Sequence, residues 1–132
     1  MEGPQALRVG YRTGALLPAH VTSGGKALLA ELPAERLRAL YPNGLPGQGA
    51  RTPEDVERLM AELTTIRRTG WALNLQESEQ GVNAVGVCVR DRTGTAVAAV
   101  AVAAPSARFP SGRLTELAPP LRLVARAISG EL

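Results

Sequence analysis

Apolar residues recur along the chain with two spacings, and the switches between them predict the elements. Ala6 to Arg12 (ALRVGYR) alternates, with Leu7, Val9 and Tyr11 on one side, and predicts a strand that Thr13-Gly14 breaks. Pro18 to Leu32 (PAHVTSGGKALLAEL) turns from small irregular residues into a run with leucines at 28, 29 and 32. A Thr/Ser-Gly-Gly step before such a run predicts a helix start, and the helix is expected from about Gly25 to near Pro33. A short second helix follows from Pro33, with Leu37, Leu40 and Tyr41 inward, and Pro42 to Ala50 (PNGLPGQGA) reads as a loop.

Thr52-Pro53-Glu54-Asp55 combines a hydroxyl cap, proline at the first helical position and acids in the first turn. Val56, Leu59, Met60, Leu63 and Ile66 continue at helical spacing, Arg67-Arg68 suit the C-terminal end, and Gly70 stops the helix. Strands are predicted over Trp71–Leu75, Val82–Arg90 and Thr95–Ala104. The polar stretch QESEQG joins the first two, and the turn DRTG makes a hairpin of the last two. A final helix carries Leu114, Leu117, Leu121, Val124 and Ile128 on one face, and Pro119-Pro120 must either kink it or mark its true first turn. Helices interrupted by an antiparallel hairpin predict an α+β fold.

Composition narrows the function classes. The 132 residues amount to one domain, 45% hydrophobic but only 3% aromatic, so its core is built from Ala, Val and Leu. The net charge of +3 comes from scattered arginines interleaved with acids, without the one-sided clustering of a phosphate-binding face. One cysteine excludes an internal disulfide, and no apolar run is long enough to cross a bilayer. Met1 to Gln5 lacks the basic start and apolar run of a secretion signal, so the cytoplasm is expected.

Strand alternation points to a candidate pocket. On Val82–Arg90, the residues Ala84, Gly86 and Cys88 share one face, opposite Val85, Val87 and Val89. On Thr95–Ala104, Ala99, Ala101 and Ala103 share a face, opposite Ala98, Val100 and Val102. Two neighbouring strands thus have one face of small side chains, and either a closely packed helix or a ligand must fill the space. A helix start near Ser23-Gly24-Gly25 has unpaired N–H groups suited to an anion, and its glycines allow close approach. The helix end contributes about 0.3–1 kcal/mol, whereas micromolar binding needs roughly 8. Burying ~250 Å² of apolar ligand surface adds about 6 kcal/mol, less the cost of association. The expected ligand is therefore a carboxylate with an apolar or aromatic body.

Other chemistry has weaker support. His20 and Ser23 could be read as a base and nucleophile of a small hydrolase, but no neighbouring carboxylate orients the ring, and a hydrogen-bonded histidine fixing the loop is the simpler reading. Gly24-Gly25-Lys26 departs from a phosphate loop at His20 and Ala27. One Cys and one His offer no paired spacing for a metal, no cofactor is indicated, and Cys88 reads as packing. A purely structural oligomerisation module without ligand is the remaining alternative.

The stretch PAHVTSGGKALLAEL resembles the segment opening the main helix of the effector-binding domain of IclR-type transcriptional regulators. Thr52-Pro53-Glu54 with its long helix, Ile66-Arg67-Arg68-Thr69-Gly70-Trp71, Glu77 with Gly81-Val82, and the Asp91-to-Pro105 hairpin follow in the same order, so the similarity runs from Gly3 to the chain's end. The resemblance implies a GAF-like antiparallel sheet flanked by helices. It also implies small-molecule sensing, homodimers or homotetramers, and DNA contact only through an attached winged helix-turn-helix. There is no room here for that second domain, and the chain is expected to be one partial effector domain, from a fragment or a misplaced start. By position the implied effector contacts are Ala6, Val9, Ser23, Gly24, Asn74, Val82, Ala84, Ala101 and Ala103. Several members have serine, cysteine or a carboxylate where this chain has Ala101, Ala103, Ala84 and Asn74, which argues against a small, highly polar acid.

Overall fold

The computed structural model describes residues 17–46 and 53–132. The strand expected over Ala6–Arg12, the end of the loop before Ala50 and the Thr52 cap lie outside the described residues. A 3-10 turn over Ala19–Val21 leads into α1 (Ser23–Leu29), followed by α2 (Ala34–Leu40) and α3 (Pro53–Thr69). Then come β1 (Ala72–Leu75), β2 (Val82–Arg90), β3 (Ala96–Pro105), α4 (Ser111–Thr115) and α5 (Ala118–Ser129). The three strands form one antiparallel sheet in the order β1-β2-β3, and the fold is α+β.

Register decides which side chains share a face. Ala84 pairs with Ala103, Gly86 with Ala101 and Cys88 with Ala99, while Val85, Val87 and Val89 pair with Val102, Val100 and Ala98. The small-residue face is therefore continuous across both strands and includes Ala72 and Asn74, the partners of Gly86 and Ala84 on β1. On that side, α1 to α3 close a core of Ala27, Leu29, Ala30, Leu37, Leu59, Leu63 and Ile66. On the other, α4 and α5 lay Leu114, Ala118, Leu121 and Ala125 over the valines of β2. Burial of these leucine and valine side chains stabilises each layer by about 1.5–3 kcal/mol apiece.

Gly70, at φ +89°, ends α3 as expected. Arg67 serves a different helix from the one it sits on: its guanidinium donates to Ala30 O (2.8 and 2.5 Å) and Leu32 O (2.9 Å), capping the chain where it leaves α1. Two inward assignments are corrected. Leu40 is 52% exposed, because α2 is only two turns long and seats just Leu37. The last helix is two helices, with Pro119 and Pro120 in the first turn of α5. Ala118, Leu121 and Ala125 face the sheet there, while Val124, 50% exposed, and Ile128 point outward.

Candidate functional site

Thr22, the threonine of the Thr/Ser-Gly-Gly step, caps α1: its backbone is extended and its Oγ1 accepts from Gly25 N at 3.0 Å. That bond satisfies one of the free amides of the first turn. Among the described residues the amides of Ser23 and Gly24 have no acceptor. With seven residues α1 has only a small dipole, so these two N–H groups are what the helix start offers an anion.

The start of α1 lies directly on the sheet. A methyl placed on Gly86 would come within 2.8 Å of Ser23 C and 2.9 Å of Gly24 N, and one on Gly24 within 3.4 Å of Ala99 Cβ. Over Gly86 the packed-helix explanation of the small residues therefore holds. Farther along the same face Ala101 and Ala103 remain exposed. Ser23 and Gly24 sit over Gly86, and Asn74 reaches Val21 O just before them; Ala84 and Val82 follow Gly86 on the same face of β2, with Ala101 and Ala103 across from Gly86 and Ala84. Ala6 and Val9 lie outside the described residues.

Asn74 has little left to offer a ligand. Its amide donates to Val21 O (2.9 Å) and Ser78 Oγ (2.8 Å), and its Oδ1 accepts from Glu77 N (2.7 Å). Both amide hydrogens are committed, so Asn74 ties the turn before α1 to the β1–β2 connection.

The anchor of this region is Lys26, the chain's single lysine, fully buried in the second turn of α1. Its Nζ donates to Glu62 Oε2 of α3 at 2.6 Å and to Glu77 Oε2 at 2.8 Å. The carboxylates are 42% and 35% exposed, so the pair keeps water on one side while the ammonium has none. Sequence reasoning missed this triad, whose members are 36 and 51 residues apart. The one available signal was a lone lysine at a position of otherwise apolar helix.

Glu62 and Glu77 border a cleft of about 360 Å³ that is also lined by Val21, Leu45, Pro46 and Leu59. His20 lines it, with its ring edge-on to Tyr41 at 6.1 Å and its buried Nδ1 without a hydrogen-bond partner among the described residues. The hydrogen bond expected for His20 is thus not made at Nδ1, and ring packing holds it instead. Burial keeps the imidazole pKa below its ordinary value; Glu77 opposes that shift and Lys26 adds to it. Cys88 is half-buried with Sγ 3.1 Å from Ala27 O, and burial raises its thiol pKa, the opposite of a reactive thiol. Among the described residues no three His, Cys, Asp or Glu side chains gather to hold a metal, and no helix is long and apolar enough to cross a membrane.

The family described as bacterial transcriptional regulator IclR C-terminal matches residues 1–130. The probable transcriptional regulator SauR of Cupriavidus necator is 39% identical over 120 residues, covering 90% of this chain and 48% of SauR. The solved structure of the Agobacterium tumefaciens repressor BlcR has a TM-score of 0.80 and 27% identity, covering 96% of this chain and 54% of that one. The inducer-binding domain of PobR from Acinetobacter, a double mutant in complex with 3-hydroxybenzoic acid, has a TM-score of 0.76 and 30% identity, covering 88% and 67%. The chain spans about half the length of relatives such as SauR, and these relatives are transcriptional regulators, not enzymes.

Proposed function

Because the chain belongs to the IclR family of bacterial transcriptional regulators, as its C-terminal domain, we propose that it is a single effector-sensing domain for a carboxylate with an apolar or aromatic body. The observation that carries this reading is the pair of amides at Ser23 and Gly24, unpartnered among the described residues and seated over Gly86 of the central strand, whose cross-strand neighbour is the exposed Ala101, with Ala103 two residues further on. The carboxylate accepts from those amides, each such charge-assisted bond contributing about 1.5–3 kcal/mol. The body lies along Val82, Ala84, Ala101 and Ala103. Asn74 holds Val21 and so sets the height of the amides. A related domain crystallised with 3-hydroxybenzoic acid supports an aromatic acid as occupant.

The sensing domain acts in the cytoplasm as a homodimer or homotetramer, controlling DNA binding by a winged helix-turn-helix attached to it. The outward apolar residues of α5, Leu123, Val124 and Ile128, favour self-association. Calorimetry with 3-hydroxybenzoate, benzoate, acetate and pyruvate tests the ligand class. The aromatic acids bind more tightly; tighter binding of the two- and three-carbon acids refutes the reading.

A further inference from the structure

Two arginines of α5 face a groove without a carboxylate to meet them. Arg122 and Arg126 have neither an ion pair nor a hydrogen bond among the described residues, and they stand one turn apart on the same helix face. The groove, of about 290 Å³, runs between α5, the end of α3 and β2, with Val87 and Ala125 as its apolar floor. A third guanidinium, Arg90, is fixed at its rim by two bonds to Glu31 (2.7 and 2.9 Å).

The sheet edge adds main-chain groups. β1 pairs only with Asn83–Gly86, so on this side residues 87–90 have no strand neighbour among the described residues. Val82 O accepts from Gln76 N and Arg90 O accepts from the Ser129 hydroxyl, so the even-numbered residues of β2 turn their peptide groups toward this edge. Cys88, between them, therefore presents its N–H to the groove. Two guanidiniums one turn apart on α5, neither ion-paired among the described residues, together with an apolar floor and an open amide, form a receptor for a compact anion.

We infer that this groove is a second ligand site, separate from the α1 start, for a small doubly charged anion: a short dicarboxylate or a phosphate. Arg122 and Arg126 each grip one end of its charge, Cys88 N–H donates to it, and a short carbon body rests on Val87 and Ala125. The inference does not rest on the effector reading, because it uses the opposite face of the sheet and none of the same side chains.

Calorimetry of the whole chain with succinate, inorganic phosphate and neutral succinamide tests it, beside the Arg122→Gln/Arg126→Gln double variant, whose changes lie on an exposed helix face. Succinate or phosphate binds, succinamide does not, and the double variant loses about tenfold or more in affinity. Amide NMR reads the site directly: the Cys88 N–H resonance moves on titration. Succinate alone or phosphate alone identifies the source of the charge, and either supports the site. Unchanged affinity in the double variant, an unmoved Cys88 amide, or no binding by either anion at about 10 mM overturns the inference.

Discussion

Replacing Gly86 by alanine tests whether the start of α1 rests on the sheet. The new methyl would meet Ser23 C at 2.8 Å, Gly24 N at 2.9 Å and Ser23 O at 3.0 Å. All three are main-chain atoms, so no side chain can swing aside, and reaching ordinary contact requires the turn to lift by about 0.6 Å. Three attachments resist that lift: Lys26 to Glu62 and Glu77, Asn74 Nδ2 to Val21 O, and Cys88 Sγ to Ala27 O. Overpacking of this kind costs about 1–3 kcal/mol. At roughly 4 °C per kcal/mol for a domain of this size, the melting temperature falls by about 4–12 °C. The same lift carries the Ser23 and Gly24 amides away from a bound carboxylate, so affinity for 3-hydroxybenzoate drops too. Calorimetric melting and titration measure both, with Gly112→Ala as control, because its methyl meets nothing within 4 Å. A Gly86→Ala protein that melts within about 1 °C of wild type and binds the acid unchanged refutes the packing argument.

The remaining predictions probe what holds the region in place. The Glu62→Gln/Glu77→Gln variant leaves the buried Lys26 ammonium without counter-charge and costs about 3–5 kcal/mol in urea unfolding; Lys26→Met, which leaves carboxylates still reached by water, costs less, and the reverse order would contradict the account. Because the folded-state pKa of His20 lies below its ordinary 6.5, the stability it contributes is fully present above pH 6.5 and is lost as pH falls through the folded value. Thermal melts from pH 7.5 to 5 therefore decline less steeply in His20→Gln than in wild type, and parallel curves count against the burial argument. Arg67→Met removes the bonds to Ala30 O and Leu32 O and lowers stability by about 1–2 kcal/mol, with faster amide exchange at the end of α1; unchanged exchange there excludes the capping role.

Much of the fold was legible because periodicity and burial agreed. Val56, Leu59, Leu63 and Ile66 form the buried stripe of α3, and β2 runs from Val82 to Arg90 as the alternation predicts. Alternation also placed Ala84, Gly86, Ala101 and Ala103 on one face, which the register confirms. Periodicity misled at Val124 and Ile128, since a helix with apolar residues around most of its circumference does not reveal which face it buries; the neighbouring valines chose Ala118, Leu121 and Ala125. The Lys26 triad and the crossed hydrogen bonds of Asn74 were not legible, because both join segments that only the folded chain brings together.

These unforeseen contacts change how the candidate site works. The α1 start is held from the sheet side by Gly86 and Cys88, and from the far side by Glu62 and Glu77. The proposed ligand at Ser23 and Gly24 would add a third tie, above the sheet near Ala101. Its binding energy can shift α1 only by as much as it favours one seating of the helix over another. Lys26 sits one turn beyond those amides, so any tilt of α1 strains its two short ion pairs and reaches α3 through Glu62 and the β1–β2 connection through Glu77. On the proposed reading, Glu62 and Glu77 are the two contacts through which a tilt of α1 would reach α3 and the β1–β2 connection. In Glu77→Gln the effector still binds at the amides, but it no longer alters hydrogen exchange in residues 76–81. Equal protection of those residues by ligand in the wild type and the variant would cut that route.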